Sequence, residues 1–185
     1  AEMDGLEDRL ATQHAALLAD RRVAAPDPAE LAERAERHDA VLWERRPADD
    51  DFLSLRLGTA DLPSRLHLQA VDAEADSAEA QRVATLLSRY ATDPDAPVDA
   101  DLRALGALGV CGQHDAAQAL LRALVLQAAT LASPRDLSVV ALVPAAMAQT
   151  WDWVKWLPHT LPLMAGMPGA RTVAATEPAI RSLLG

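Results

Sequence analysis

Apolar residues first recur at helical spacing at Leu6, Leu10, Leu17 and Leu18, which predicts a helix over 3–22. Acids lead it (Glu2, Asp4, Glu7, Asp8) and Arg21 and Arg22 close it, as the helix dipole favours. The apolar stripe is thin for a core-facing helix, so the segment reads as a stalk, a coiled-coil arm or an extension of something larger. Asp27-Pro28-Ala29-Glu30 then carries a helix start: a capping side chain, proline at the first helical position and a glutamate to close the box. A second helix is expected over 28–39.

The period then changes. Phe52-Leu53-Ser54-Leu55-Arg56-Leu57 alternates and ends at Gly58, the pattern of a half-buried strand. Leu66 to Val71 alternates again, and Asp61-Leu62-Pro63-Ser64 between them is turn chemistry, so the two predict a hairpin. Residues 77–91 form an amphipathic helix with Val83, Leu86 and Leu87 facing inward. Asp93-Pro94-Asp95-Ala96-Pro97 reads as a loop.

From residue 102 the pattern is more apolar. Leu105 to Cys111 is a run of small apolar residues expected to be a strand. A long helix follows over 115–132, with Leu120, Leu124, Ala128 and Leu131 on one face. Ser133-Pro134-Arg135-Asp136 is a turn, and Leu137 to Val143 is a continuous apolar run of the kind buried in a parallel sheet. Strand, helix and strand of these lengths predict a βαβ unit and an α/β fold. Val173 to Ala175 is a further candidate strand, and Thr176-Glu177-Pro178 opens a final short helix through Leu184.

Composition narrows the function classes. The 185 residues carry 27 acids and 17 bases, a formal net charge of −10. The excess sits in residues 1–103, with 23 acids and 12 bases, against 4 and 5 in the remainder. An acidic chain is a poor general partner for nucleic acid, which needs a basic face. No run approaches 18 uninterrupted apolar residues, so no membrane span is expected, and no signal-peptide pattern is present. Cys111 is the one cysteine, which excludes an internal disulfide and fits a reducing compartment. Lys155 is the one lysine.

That lysine decides the first candidate site. Gly109-Val110-Cys111-Gly112-Gln113-His114-Asp115 lies where a phosphate-binding loop would sit, between strand and helix. A working loop ends in Gly-Lys-Ser/Thr, but this one has no lysine, and Asp115 competes with phosphate for the helix amino end. Gly109, Gly112, Gln113, His114 and Asp115 thus form at most a degenerate nucleotide site, and a tight βα turn is the favoured reading. The 137–143 run ends in Val-Pro-Ala-Ala without the acid that would hold magnesium. Cys111 and His114 need not face one another, and Cys111 is expected to be a small buried hydrophobe rather than a nucleophile. The five histidines have no metal-ligand spacing, and Asp49-Asp50-Asp51 reads as a solvated acid run.

The last candidate is Trp151-Asp152-Trp153-Val154-Lys155-Trp156-Leu157-Pro158-His159. Three tryptophans in six residues, in a chain with six aromatics, suit either a binding surface or core filling over an Ala-rich sheet. At helical spacing Trp153 and Trp156 share a face and Trp151 lies elsewhere.

Several of these segments together resemble the EccC family, the FtsK/SpoIIIE-type ATPase of type VII (ESX) secretion. They are Leu42-Trp43-Glu44-Arg45-Arg46-Pro47, Asp51 to Gly58, Ala96-Pro97-Val98 leading to Leu102-Arg103, Gly109 to Gly112, Ala119 to Gln127, Ser133 to Leu137 and the Trp151–His159 stretch. The likeness covers roughly residues 20–185. It implies the juxtamembrane domain between the family's membrane helices and its ATPase domains: a degenerate P-loop-ATPase-like sheet flanked by helices, with an N-terminal helical stalk. Residues 1–40 would be the stalk and 41–185 the α/β domain. It further implies a coupling module at the cytoplasmic face of the membrane that docks on EccD, EccB and EccE and on the remaining ATPase domains. No cofactor and no activity of its own are then expected. The alternative is an atypical ATPase domain binding ATP and magnesium, with Arg122 or Arg135 replacing the lysine.

Overall fold

A computed structural model describes residues 2–66, 78–160, 173–174, 178 and 181. The fold is mixed helix and strand, of the α/β class. It forms two compact units that interleave along the chain, one from residues 1–27 and 54–108 and the other from 28–53 and 109–185.

The first unit is built on an antiparallel ribbon. β1 (Ser54–Pro63) pairs with β2 (Thr92–Asp101), in register from Ser54↔Asp101 to Pro63↔Thr92 with two irregularities. The expected loop at 93–97 is therefore strand, and the expected turn at 61–64 is the end of β1. A two-stranded ribbon leaves each strand one free edge, where Pro94 and Pro97 need donate no hydrogen bond. The punctuation survives locally: Asp95 adopts φ 49°, and its N–H donates to Asp61 Oδ1 at 3.1 Å, beside the irregularity at Ala60/Leu62. Residues 67–71 of the expected second hairpin strand lie outside the described residues.

α1 (Glu2–Ala24) forms as the charge pattern requires. Its half-buried positions are Glu7, Leu10, His14, Leu17, Leu18 and Arg21, which fall on one side of the helix. Three of these six are apolar. Leu10 and Leu17 pack on the buried cluster of Leu66, Leu86 and Tyr90, where Leu86 belongs to α3 (Ala78–Arg89). The stripe is thin because three of the six half-buried positions are polar. Asp101 closes β2 and starts α4 (Leu102–Leu105): its Oδ1 accepts from the amides of Arg103 and Ala104 at 2.9 and 3.2 Å. Gly106 ends that turn at φ 68°, a conformation that favours glycine. These two signals override the apolar run, so the strand expected over 105–111 is absent, and Leu105, Gly109 and Cys111 are exposed. Cys111 is not the buried hydrophobe anticipated.

In the second unit α2 (Pro28–Arg37) packs on α5 (His114–Leu131), and Leu31 is fully enclosed. The carboxyl end of α5 is clamped by the loop after α2. The Trp43 and Arg45 amides donate to the carbonyls of Thr130 and Leu131 at 2.9 and 3.0 Å. The Trp43 indole donates to Ala129 O at 2.9 Å. Trp43 holds φ 61° to do so. After α5, β3 (Ala141–Leu142) pairs in parallel with β4 (Val173–Ala174). The parallel pair matches expectation, but it is two residues long, and the 137–143 run is not buried on both faces: Val140 and Leu142 are 54% and 46% exposed. Of the expected βαβ unit the helix and part of the second strand are present; the first strand is absent, and β3 pairs instead with the further candidate strand at 173–174. Short helical turns follow at Ala145–Met147, α6 (Ala148–Trp151), Asp152–Trp156 and Pro158–Thr160. Of the final helix, residues 178 and 181 are helical and the rest lie outside the described residues.

Candidate functional site: an apolar cleft beside the amino half of α5

The glycine loop before α5 lies on the surface. Gly109, Gly112, Gln113, His114 and Asp115 are all exposed. Gly112 takes φ 156°, where a side chain would be strained. Gln113 occupies the N-cap position of α5 in extended conformation without a side-chain capping bond, and Asp115 sits in the first helical turn. An acid there answers the positive end of the helix dipole itself. Lys155 is engaged elsewhere: its Nζ pairs with Asp152 and stands 5.4 Å from the centre of the Trp156 ring.

What the fold does create beside this helix end is apolar. A cleft of about 410 Å³ is lined by Leu121 and Val125 of α5, by the 139–143 segment, and by Met147, Trp151 and Val154. Its polar members are His114 and Gln118. The size and lining are those of a site for an apolar group held by a few polar contacts. Trp151 forms one wall and is fixed there by its indole N–H, which donates to Gln118 Oε1 at 2.7 Å. Trp153 stacks on Trp151 with ring centres 6.2 Å apart and an angle of 23°. Trp156 stands apart at 71% exposure. Trp151 therefore groups with Trp153, and Trp156, although three residues on from Trp153 in a 3-10 turn, does not share its surroundings. Of the sequence candidates, His114 and Trp151 meet at one cleft. Gly109, Gly112, Gln113 and Asp115 do not line it. Leu121, Val125, Val140, Leu142 and Met147 were missed as site residues, although the 137–143 run was itself the signal.

A second constellation lies at the carboxyl end of α5. Arg46 Nη1 lies 2.9 Å from Asp136 Oδ2, and Ser133 Oγ donates to the same oxygen at 2.8 Å. The hydrogen bonds from Ser133 and then Arg46 hold the Asp136 carboxyl below its ordinary pKa of 3.8. Arg45, 4% exposed, pairs with Asp51 at 2.9 Å and bonds the Asp51 carbonyl at 3.1 Å. His159 is buried, with Nε2 2.8 Å from Ala132 O and its ring edge-on to Trp43. The Leu42–Pro47, Ser133–Leu137 and Trp151–His159 segments, far apart in sequence, thus meet around the last turn of α5.

No family model matches the chain. Curated proteins do. Over 126 residues, 65% of the chain, it is 34% identical to the ESX secretion system protein EccC of Thermomonospora curvata, covering 9% of that protein. Over 139 residues, 72% of the chain, it is 34% identical to the ESX-3 secretion system protein EccC3 of Mycobacterium tuberculosis, covering 10% of it. The chain belongs to the EccC family. A further EccC, from Geobacillus thermodenitrificans, is 32% identical over 125 residues and is covered over 8% of its length. The chain therefore spans about a tenth of the length of the EccC proteins it matches. Among the described residues, no helix is long and apolar enough to cross a membrane.

Proposed function

We propose that this EccC segment is a docking and coupling module, lying between the membrane helices of an EccC protein and its ATPase domains at the cytoplasmic face. In this reading residues 1–40 lead in from the membrane side. The module transmits position rather than hydrolysing nucleotide, and it seats other secretion subunits, with EccD first among EccB, EccD and EccE. One observation carries the reading. The surface at the amino half of α5 is a tryptophan-walled apolar cleft with Val140 and Leu142 exposed beside it. Such a surface suits burial against another protein, because a large aromatic in a partly formed pocket is the usual anchor of an interface. The degenerate glycine loop supports the same reading, since Asp115 occupies the helix end that a phosphate would need.

The test is co-purification of the chain with the soluble domains of EccD, EccB and EccE, comparing wild type with Trp151→Ala, Trp156→Ala and Leu142→Asp. Leu142→Asp and Trp151→Ala are expected to weaken capture by tenfold or more, as truncating an interface anchor costs 1.4 kcal/mol or above, about a factor of ten. Retained capture by all three variants, each folded by circular dichroism, removes the cleft and its rim from the interface.

A further inference from the structure

The described contacts of α1 with its unit include a cluster of charged groups beside the apolar packing of Leu10 and Leu17. Asp93 of β2 is 1% exposed and receives two groups from α1. Arg21 Nη1 donates to Oδ2 at 2.9 Å and reaches the Pro63 carbonyl at 3.4 Å. His14 Nε2 stands 2.9 Å from Oδ1, a contact that becomes an ion pair when the ring carries a proton, and the His14 ring leans on Tyr90 with centres 5.3 Å apart. Nearer the amino end, Glu7 pairs with Arg89 of α3. Among the described residues Leu10, Leu17 and Leu18 are the half-buried apolar residues of this face, and Leu10 and Leu17 pack on the Leu66, Leu86 and Tyr90 cluster. The carboxyl end is held separately: Arg56 of β1 donates to Ala25 O at 3.3 Å and pairs with Asp27 at 3.5 Å, and Pro26 is fully buried.

We propose that α1 is a detachable lever, which leaves α3 and β2 as one piece while its end at Ala25–Asp27 stays pinned, and that the Asp93 carboxylate is the clasp holding it down. The physical ground is the asymmetry of buried charge. A carboxylate paired with Arg21 and His14 is tolerable inside the unit, while the same carboxylate with Arg21 removed is not. Three partly exposed leucines are a small apolar contribution beside that term, so the helix opens below the cost of opening the ribbon. The inference concerns this chain alone and does not depend on which subunit the cleft engages.

Native-state hydrogen exchange of the whole chain, read by mass spectrometry, tests it. In the wild type, amides of α1 are expected to exchange at least tenfold faster than those of β1 and β2. Arg21→Met keeps the bulk of the side chain and strands the carboxylate. It is expected to speed exchange in α1 by a further tenfold or more while leaving β1 and β2 within threefold. The Arg21→Met/Asp93→Asn double variant removes both charges and is expected to return α1 to within threefold of wild type. Acceleration of α1 and the ribbon together overturns the lever. An unchanged α1 in Arg21→Met, or a double variant as fast as the single, overturns the clasp.

Discussion

Asp93→Ala is expected to weaken the attachment of α1 to the first unit by about 3–5 kcal/mol, the range for removing one partner from a buried charge cluster. Arg21 and His14 keep side-chain exposures of 15% and 14% around it, so the Arg21 charge and the His14 ring nitrogen would be left facing a void with little water to replace the lost oxygens. Denaturant titration followed by far-ultraviolet circular dichroism measures the loss, and a loss under about 1 kcal/mol would mean the cluster is solvated. The same group sets an acid limit. Burial pushes the Asp93 carboxyl up, but hydrogen bonds from Ser64 and Arg21 and the charges of His14 and Arg21 outweigh it, so its pKa lies below the ordinary 3.8. A depressed carboxyl contributes stability that is complete above its unfolded pKa and lost as the pH falls through its folded one. The gap between wild type and Asp93→Asn should therefore be widest near neutral pH and close below about pH 4.

Leu31→Ala is expected to destabilise the second unit by about 2–5 kcal/mol, the cost of a lost side chain plus an unfilled cavity. Leu31 has no exposed surface and lies on the helix that packs against α5. All four tryptophans belong to this unit, so intrinsic fluorescence reports its unfolding. An unchanged fluorescence midpoint would show that α2 carries none of the support of α5. Because α5 forms one wall of the cleft, the variant should also weaken partner capture in proportion to its unfolded fraction.

The helices were legible because their signals are local. The acid-to-base gradient of α1, Pro28 at the first position of α2 and the leucine face of α5 each act within one or two turns. The ribbon was not, because β1 pairs with a segment forty residues on that contains two prolines and an aspartate at positive φ. Those residues look like loop unless one knows that each strand has a free edge. The apolar run at 137–143 was read as buried on both sides, since a sequence does not state how many neighbours a strand will find. That same misreading hid the site: among the described residues β3 has one strand partner, and Val140 and Leu142 line a cleft. His114 and Trp151 were found for reasons unrelated to the cleft, the first from a glycine loop and the second from aromatic density.

The central claim is that the amino end of α5 serves protein contact and not phosphate. Calorimetric titration of the chain with ATP and magnesium tests it most directly. No saturable heat is expected up to millimolar nucleotide. Micromolar binding abolished by Gly112→Ala or Asp115→Ala would contradict it and make the glycine loop a nucleotide site.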